Sequence, residues 1–257
     1  MQRHYFVRDG LRLSYLDSGG RGPVLIALPA HLMEGVTYAP LAAVLGPRWR
    51  VVALDQRGHG HSDHAPRRGG YTPAAYLGDL AALLDHLGIA EAVLLGNSVG
   101  GVNAYEFAAR EPGRVRALVV EDIGAVVADD MTFVLEWEGW FPSRNALAER
   151  IGPVLLPYLE DAFRKAAEGW RLAFDPADVV ASQRELNGDH WAAWLATDCP
   201  ALLIRGRRSR VTRASLLKKM AARRIHTRLV TLDAGHIVHA DNPVGFAAAV
   251  REFLESL

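Results

Sequence analysis

A serine flanked by glycines, Gly96-Asn97-Ser98-Val99-Gly100, is the residue of this 257-residue chain best suited to nucleophilic chemistry. The run EAVLLGN (91–97) reads as a buried strand leading straight into it, and SVGGVNAYEFAAREP (98–112) reads as the helix leaving it. A strand that turns at once into a helix forces the turn residue into a strained backbone conformation. Side-chain-free neighbours let the two segments approach closely. Such a turn lifts the Ser98 hydroxyl out of the sheet. The amino end of the following helix points at the same spot and favours developing negative charge. The Val99 amide is then placed to serve as one oxyanion donor.

A serine hydroxyl needs a base. Leu232-Asp233-Ala234-Gly235-His236 follows the last strand-like run, TRLVTLD (227–233). Gly235 allows a tight turn, from which His236 can swing over Ser98 as general base. His239 lies three residues on, before Asp241-Asn242-Pro243, and reads as a structural residue at the mouth of the final helix.

The elements that must position these groups are legible from apolar patterning. PVLIALPA (23–30), WRVVALD (49–55), RVRALVVED (114–122) and PALLIRG (200–206) join the two runs above as short strands rich in Val, Leu and Ile. Continuous apolar runs of this kind suit a parallel sheet covered on both faces. Helical patterns at 72–88, 98–112, 214–224 and 242–257 alternate with them, giving a doubly wound, mostly parallel α/β sheet. FVRDGLRLSYLDSG (6–19) reads as an antiparallel hairpin turning at Asp9-Gly10. The alternation lapses between Asp122 and Pro200, where five of the six Trp occur: Trp137, Trp140, Trp170, Trp191 and Trp194. Residues 125–196 are expected to form a helical cap over the carboxyl edge of the sheet, on a core of 1–124 and 197–257. Trp137, Trp140 and Trp191, with Leu32, are its expected pocket residues.

Composition narrows the function further. Lys plus Arg and Asp plus Glu are 29 each, so the formal net charge is zero. A nucleic-acid binder needs a basic surplus to neutralise phosphates. The arginines of 205–213 and 223–228 read as solvated surface, with attraction for an anionic ligand as the lesser reading. The single cysteine, Cys199, excludes an intramolecular disulfide. No apolar stretch approaches the roughly 20 residues needed to cross a bilayer, and the first residues lack a signal-peptide core. A cytoplasmic protein with no membrane partner is expected. There is no Gly-rich dinucleotide fingerprint after an early strand and no phosphate loop, so no cofactor is expected.

The pieces ALPAHLMEG, VVALDQRGHGHSD, LLGNSVGG, LVVEDIGA, CPALLIRG and LDAGHIVHADNP stand in an order that resembles the α/β-hydrolase superfamily over nearly the full length. The resemblance is to the small single-domain esterases, C–C hydrolases and dehalogenases, and it implies an α/β-hydrolase fold with a Ser–acid–His triad in that chain order. Many relatives carry the acid three residues past the glycine of the strand corresponding to PALLIRG, where this chain has Ser209. Haloalkane and fluoroacetate dehalogenases carry it one strand earlier, at Val120-Glu121-Asp122-Ile123-Gly124 of this chain. That placement implies Asp122, with Glu121 as runner-up because adjacent strand residues face opposite ways; Asp233 and Asp198 are fallbacks. The His-Gly that usually supplies the second oxyanion donor is here Pro29-Ala30-His31, which implies the His31 amide, or Leu32 with a one-residue shift. His59, His61 and His64 have zinc-like spacing, but the resemblance makes Asp55-Gln56-Arg57-Gly58-His59-Gly60 an edge-shaping loop with no metal.

The expected activity is hydrolysis of a carboxylic ester, thioester or lactone of a medium-sized, partly apolar small molecule through an acyl-enzyme on Ser98. C–C bond hydrolysis, perhydrolysis or a lyase reaction would reuse the same triad, and a non-catalytic small-molecule receptor is the remaining alternative.

Overall fold

The computed structural model describes residues 1–66 and 69–257. β1 (Gln2–Arg8) and β2 (Leu11–Asp17) form the expected hairpin, with Arg8 opposite Leu11. Its two turn residues, Asp9 and Gly10, have φ of 51° and 80°, the left-handed pair that matches the twist of a tight hairpin. Then come β3 (Val24–Leu28), α1 (Ala39–Leu45), β4 (Arg50–Leu54), α2 (Pro73–His86), β5 (Ala92–Asn97), α3 (Val99–Arg110) and β6 (Val115–Glu121). After a long insertion the chain returns to the sheet. The insertion holds β7 (Val126–Val127), α4 (Arg144–Ile151), α5 (Leu156–Leu159), β8 (Phe163–Ala166), β9 (Gly169–Leu172), α6 (Pro176–Leu186), β10 (Gly188–Asp189) and α7 (Trp191–Trp194). The last elements are β11 (Ala201–Gly206), α8 (Ala214–Arg223), β12 (Thr227–Leu232), α9 (Val238–Asp241) and α10 (Pro243–Glu255).

Among the described residues the main sheet has eight strands in the order β1-β2-β4-β3-β5-β6-β11-β12. β2 runs antiparallel to both of its neighbours, and the pairings from β4 to β12 are parallel. Side chains alternate across the sheet. Ile26, Leu94, Leu118 and Val120 pack with α2, α3 and α8 through Leu80, Leu83, Phe107 and Met220. Leu25, Val93, Leu95 and Val119 pack on the other face with α1 and α10 through Leu41, Phe246 and Val250. A fully buried Leu, Val or Phe contributes about 1.5–3 kcal/mol, so both helical layers are held chiefly by these runs. All six strand-like runs and all four helical patterns of the sequence appear within a few residues of their expected bounds.

The insertion carries the expected helical pieces and, beside them, short strands. β8 and β9 pair antiparallel, as do β7 and β10. These strands are two to four residues long, too short for a period-two pattern to show in sequence. The insertion has its own apolar cluster, with Val134, Trp137, Leu147, Leu159, Phe163, Phe174 and Val179 packed around Leu32. Polar contacts stitch it to the sheet. Arg164 Nη2 lies 2.5 Å from Glu34 Oε1, Tyr71 donates to Asp178 at 2.7 Å, and Tyr158 donates to Asp241 at 2.5 Å. Among the described residues no helix is long and apolar enough to cross a membrane.

Candidate active site

Ser98 is the first point of contact between β5 and α3. Its backbone is left-handed, with φ 52° and ψ −121°. For a residue carrying a Cβ this is strained geometry, held only because its surroundings fix it. The Ser98 amide donates to Glu121 O at 3.1 Å. The flanking glycines are required by space: a Cβ on Gly96 would lie 2.1 Å from Gly100 O, and one on Gly100 would lie 2.1 Å from Leu28 O. Both glycines therefore allow the strand, the helix and the end of β3 to converge.

The two carboxylates that end β6 separate. Asp122, just past the strand, also has a positive φ, of 48°. Its side chain is fully buried, and its Oδ2 lies 2.8 Å from His236 Nδ1. Its Oδ1 accepts from the Gly206 amide at 3.0 Å. The Ser209 hydroxyl donates to Oδ2, and Thr212 Oγ1 donates to the Asp122 carbonyl at 2.7 Å. Ser209, just past β11 at the position where the resemblance would place a carboxylate, thus hydrogen-bonds the Asp122 carboxylate. Glu121 points the other way. Both of its carboxylate oxygens lie 2.9 Å from His239 Nδ1, and Oε1 also accepts the His239 amide at 2.9 Å. His239 Nε2 is 2.7 Å from Thr37 Oγ1. Asp233 instead pairs with Arg208 at the surface.

The His236 loop is fixed from three sides. Asn97 Nδ2 donates to His236 O at 3.3 Å, and the Gly235 amide donates to Asp241 Oδ2 at 2.5 Å. Asp241 Oδ1 in turn accepts the Tyr158 hydroxyl of the insertion. Asn97, Ser209, Thr212 and Asp241 were not assigned roles from the sequence. For Ser209 the signal was its place at the vacant acid position.

Ser98 and His236 line one cavity of about 430 Å³ between the sheet edge and the insertion. His31 and Leu32 line it as well, with Met131, Phe133, Val154, Leu155 and Ile237 making most of its wall apolar. His31 Nε2 lies 2.9 Å from Ser182 Oγ. Burial, with His59 nearby, pushes the His31 imidazole down to about 3, so it is neutral near pH 7. Leu32 has a left-handed φ of 72°, so the chain turns sharply beside Ser98.

The tryptophans go elsewhere. Trp137 is buried in the insertion's own cluster. Trp140 is exposed beneath the Arg171 guanidinium. Trp191 packs against the main core and lies under Arg223 and Lys219. None of the three lines the cavity that holds Ser98. The indoles of Trp137 and Trp191 are packed against other apolar clusters, where aromatic area is best buried, and smaller apolar side chains with Phe133 shape the cavity. The three clustered histidines also disperse. His59 Nδ1 faces Arg57 O, His64 reaches Asp178 and Ala173 O, and the His61 amide donates to Asp55. Among the described residues no group of three or more His, Cys, Asp or Glu is arranged to hold a metal ion.

Residues 23–151 match the family model described as alpha/beta hydrolase fold. The chain belongs to this family. It is 26% identical over 257 residues to 2-(acetamidomethylene)succinate hydrolase of Mesorhizobium japonicum, covering 92% of this chain and 90% of that one. A crystal structure of E-2-(acetamidomethylene)succinate hydrolase superposes with a TM-score of 0.85 at 26% identity, covering 98% of this chain and all of the other. The enol-lactonase of Burkholderia xenovorans superposes with a TM-score of 0.83, again at 26% identity, over 98% of this chain and 100% of its own. N-formylmaleamate deformylase of Pseudomonas putida is 26% identical over 272 residues, 96% of this chain and 94% of the relative. The protein is an α/β-hydrolase enzyme, and these similar proteins are named for hydrolytic reactions on small molecules.

Proposed function

We propose that the protein is a serine hydrolase that cleaves a carboxylic ester, thioester or lactone through an acyl-enzyme on Ser98. The observation that carries this reading is the 2.8 Å contact between His236 Nδ1 and Asp122, with Ser98 on the same cavity as His236. Asp122 holds the imidazole in the tautomer whose Nε2 accepts a proton. Nε2 takes the Ser98 proton as the hydroxyl oxygen bonds to the carbonyl carbon. The resulting oxyanion is held by the amides of Val99 and His31, each donor contributing about 3 kcal/mol to the transition state. His236 returns the proton to the leaving group as the carbon–leaving-group bond breaks. Water then attacks the acyl carbon, giving its proton to His236, which passes it to Ser98 Oγ as the carbon–Oγ bond breaks and the acid product leaves.

Residues 125–196 act as the cap that closes the cavity over the sheet edge. Its apolar lining suits a medium-sized substrate of low polarity. Expulsion of water from such a cavity strengthens the oxyanion and imidazolium contacts.

The test is a panel of short and medium 4-nitrophenyl esters, thioesters and lactones assayed with wild type and Ser98→Ala. Turnover in wild type that falls by at least about 10³-fold in Ser98→Ala supports the reading. Equal rates in the two proteins rule it out.

A further inference from the structure

The catalytic cavity is unusual in its charge. Among the described residues lining it there is no Arg or Lys, while Asp129 and Asp130 both do. Three of its other polar groups, on His31, Tyr158 and Gln183, are already engaged. His31 is kept neutral by burial. The Tyr158 hydroxyl donates to Asp241 and Gln183 Nε2 donates to Asn187 at 2.8 Å. A carboxylate entering here would give up its water and find no Arg or Lys among the described lining residues to replace it.

Asp129 is held in place through its backbone. Its amide donates to Asn187 Oδ1 at 3.1 Å, and Asn187 Nδ2 donates to its carbonyl at 2.9 Å. The carboxyl is left free of that scaffold and lies close enough to His236 to interact with it electrostatically. Burial raises the Asp129 carboxyl from its ordinary value, and the neighbouring His236 opposes that rise. Basic side chains do occur nearby: Arg210, Arg213 and Lys219 line a separate cavity of about 570 Å³ that shares Asp129 and Val211 with this one. Both arginines and the lysine are exposed there, where water and salt screen them.

We propose that the catalytic cavity selects substrates whose acyl group is uncharged, and that Asp129 is the residue that rejects anionic acyl groups. This deepens the serine-hydrolase reading and rests on it. It also sets the chain apart from the succinate and maleamate hydrolases it resembles, whose names specify carboxylate-bearing substrates.

Two esters of equal acyl length and the same leaving group isolate the charge: 4-nitrophenyl hexanoate and 4-nitrophenyl hydrogen adipate, each corrected for spontaneous hydrolysis. In wild type, kcat/KM for the hexanoate should exceed that for the adipate by about tenfold or more, the scale expected of two like charges within a partly desolvated site. Asp129→Asn should narrow that ratio severalfold. Glu149→Gln, which removes one negative charge from the exposed side of α4, should leave it unchanged. Raised ionic strength should narrow the wild-type ratio without any substitution, because screening weakens the repulsion. A wild-type ratio near one, or one favouring the adipate, overturns the selectivity while leaving the serine-hydrolase reading intact. A ratio that Asp129→Asn and salt both fail to move overturns the role of Asp129. Turnover of neither ester overturns both readings together.

Discussion

Two neighbouring carboxylates at the end of β6 each hold a histidine of the segment that follows β12, yet their surroundings differ. Asp122 and His236 meet at 2.8 Å where the imidazole side chain is 23% exposed and lines the cavity beside Ser98. Glu121 and His239 meet at 2.9 Å where the two side chains are 0% and 3% exposed. The ring of His239 is used up: one nitrogen faces Glu121 and the other Thr37. Tyr38 and Phe246 pack against its ring. A histidine–carboxylate pair is therefore present twice, and access separates the two. One array faces a cavity large enough for a substrate. The other is enclosed and ties β6 to the segment that carries His236.

This contrast has measurable consequences. Asp122→Asn should lower kcat/KM by about 10⁴-fold, with little change in the thermal midpoint; steady-state kinetics beside calorimetry read both. Glu121→Ala should do the reverse. Removing one partner of a buried pair costs about 3–5 kcal/mol, so chemical denaturation should show a large loss of stability. The kcat of the folded fraction should fall far less than in Asp122→Asn. If Glu121→Ala abolishes activity in a fully folded protein, the division of labour fails. Ser209→Ala removes a hydroxyl donated to the Asp122 carboxylate. Hydrogen bonds to charged groups contribute about 1.5–3 kcal/mol, so a loss of about tenfold in kcat is expected, against none if Ser209 is only a surface residue. The smallest effect belongs to Thr37→Val, which leaves His239 Nε2 without its hydroxyl partner. It should cost about 1 kcal/mol of stability in urea titration and leave kcat unaltered.

The sheet was legible because its strands are continuous apolar runs and its helices have clear starts and stops. Thr72 with Pro73 opens α2, and Asn242 with Pro243 opens α10, each side chain accepting from a first-turn amide. The preference for Asp122 over Glu121 came from the resemblance, strand alternation saying only that one of the two can face the site, and the structure sends the two residues to opposite sides of the sheet. The insertion was much less legible. Its strands are too short to show a period, and its fold is fixed by contacts to distant residues such as Glu34, Tyr71 and Asp241. The tryptophans misled because an aromatic-rich segment signals burial without saying which neighbours will provide it. Trp191 found the core helices, and Trp137 found the insertion's own interior. Ser209 was singled out only as a departure from the usual acid position. Its contact with Asp122 depends on how β11 lies beside β6, with Ile204 opposite Glu121.

The central claim concerns the reactivity of one hydroxyl. Incubation with a fluorophosphonate, followed by peptide mass mapping, tests it most directly. The account predicts a single adduct on the peptide containing Ser98 in wild type, its loss in Ser98→Ala, and much slower labelling in Asp122→Asn. An unlabelled wild type that is fully folded, or an adduct carried by another residue with Ser98 untouched, would contradict it.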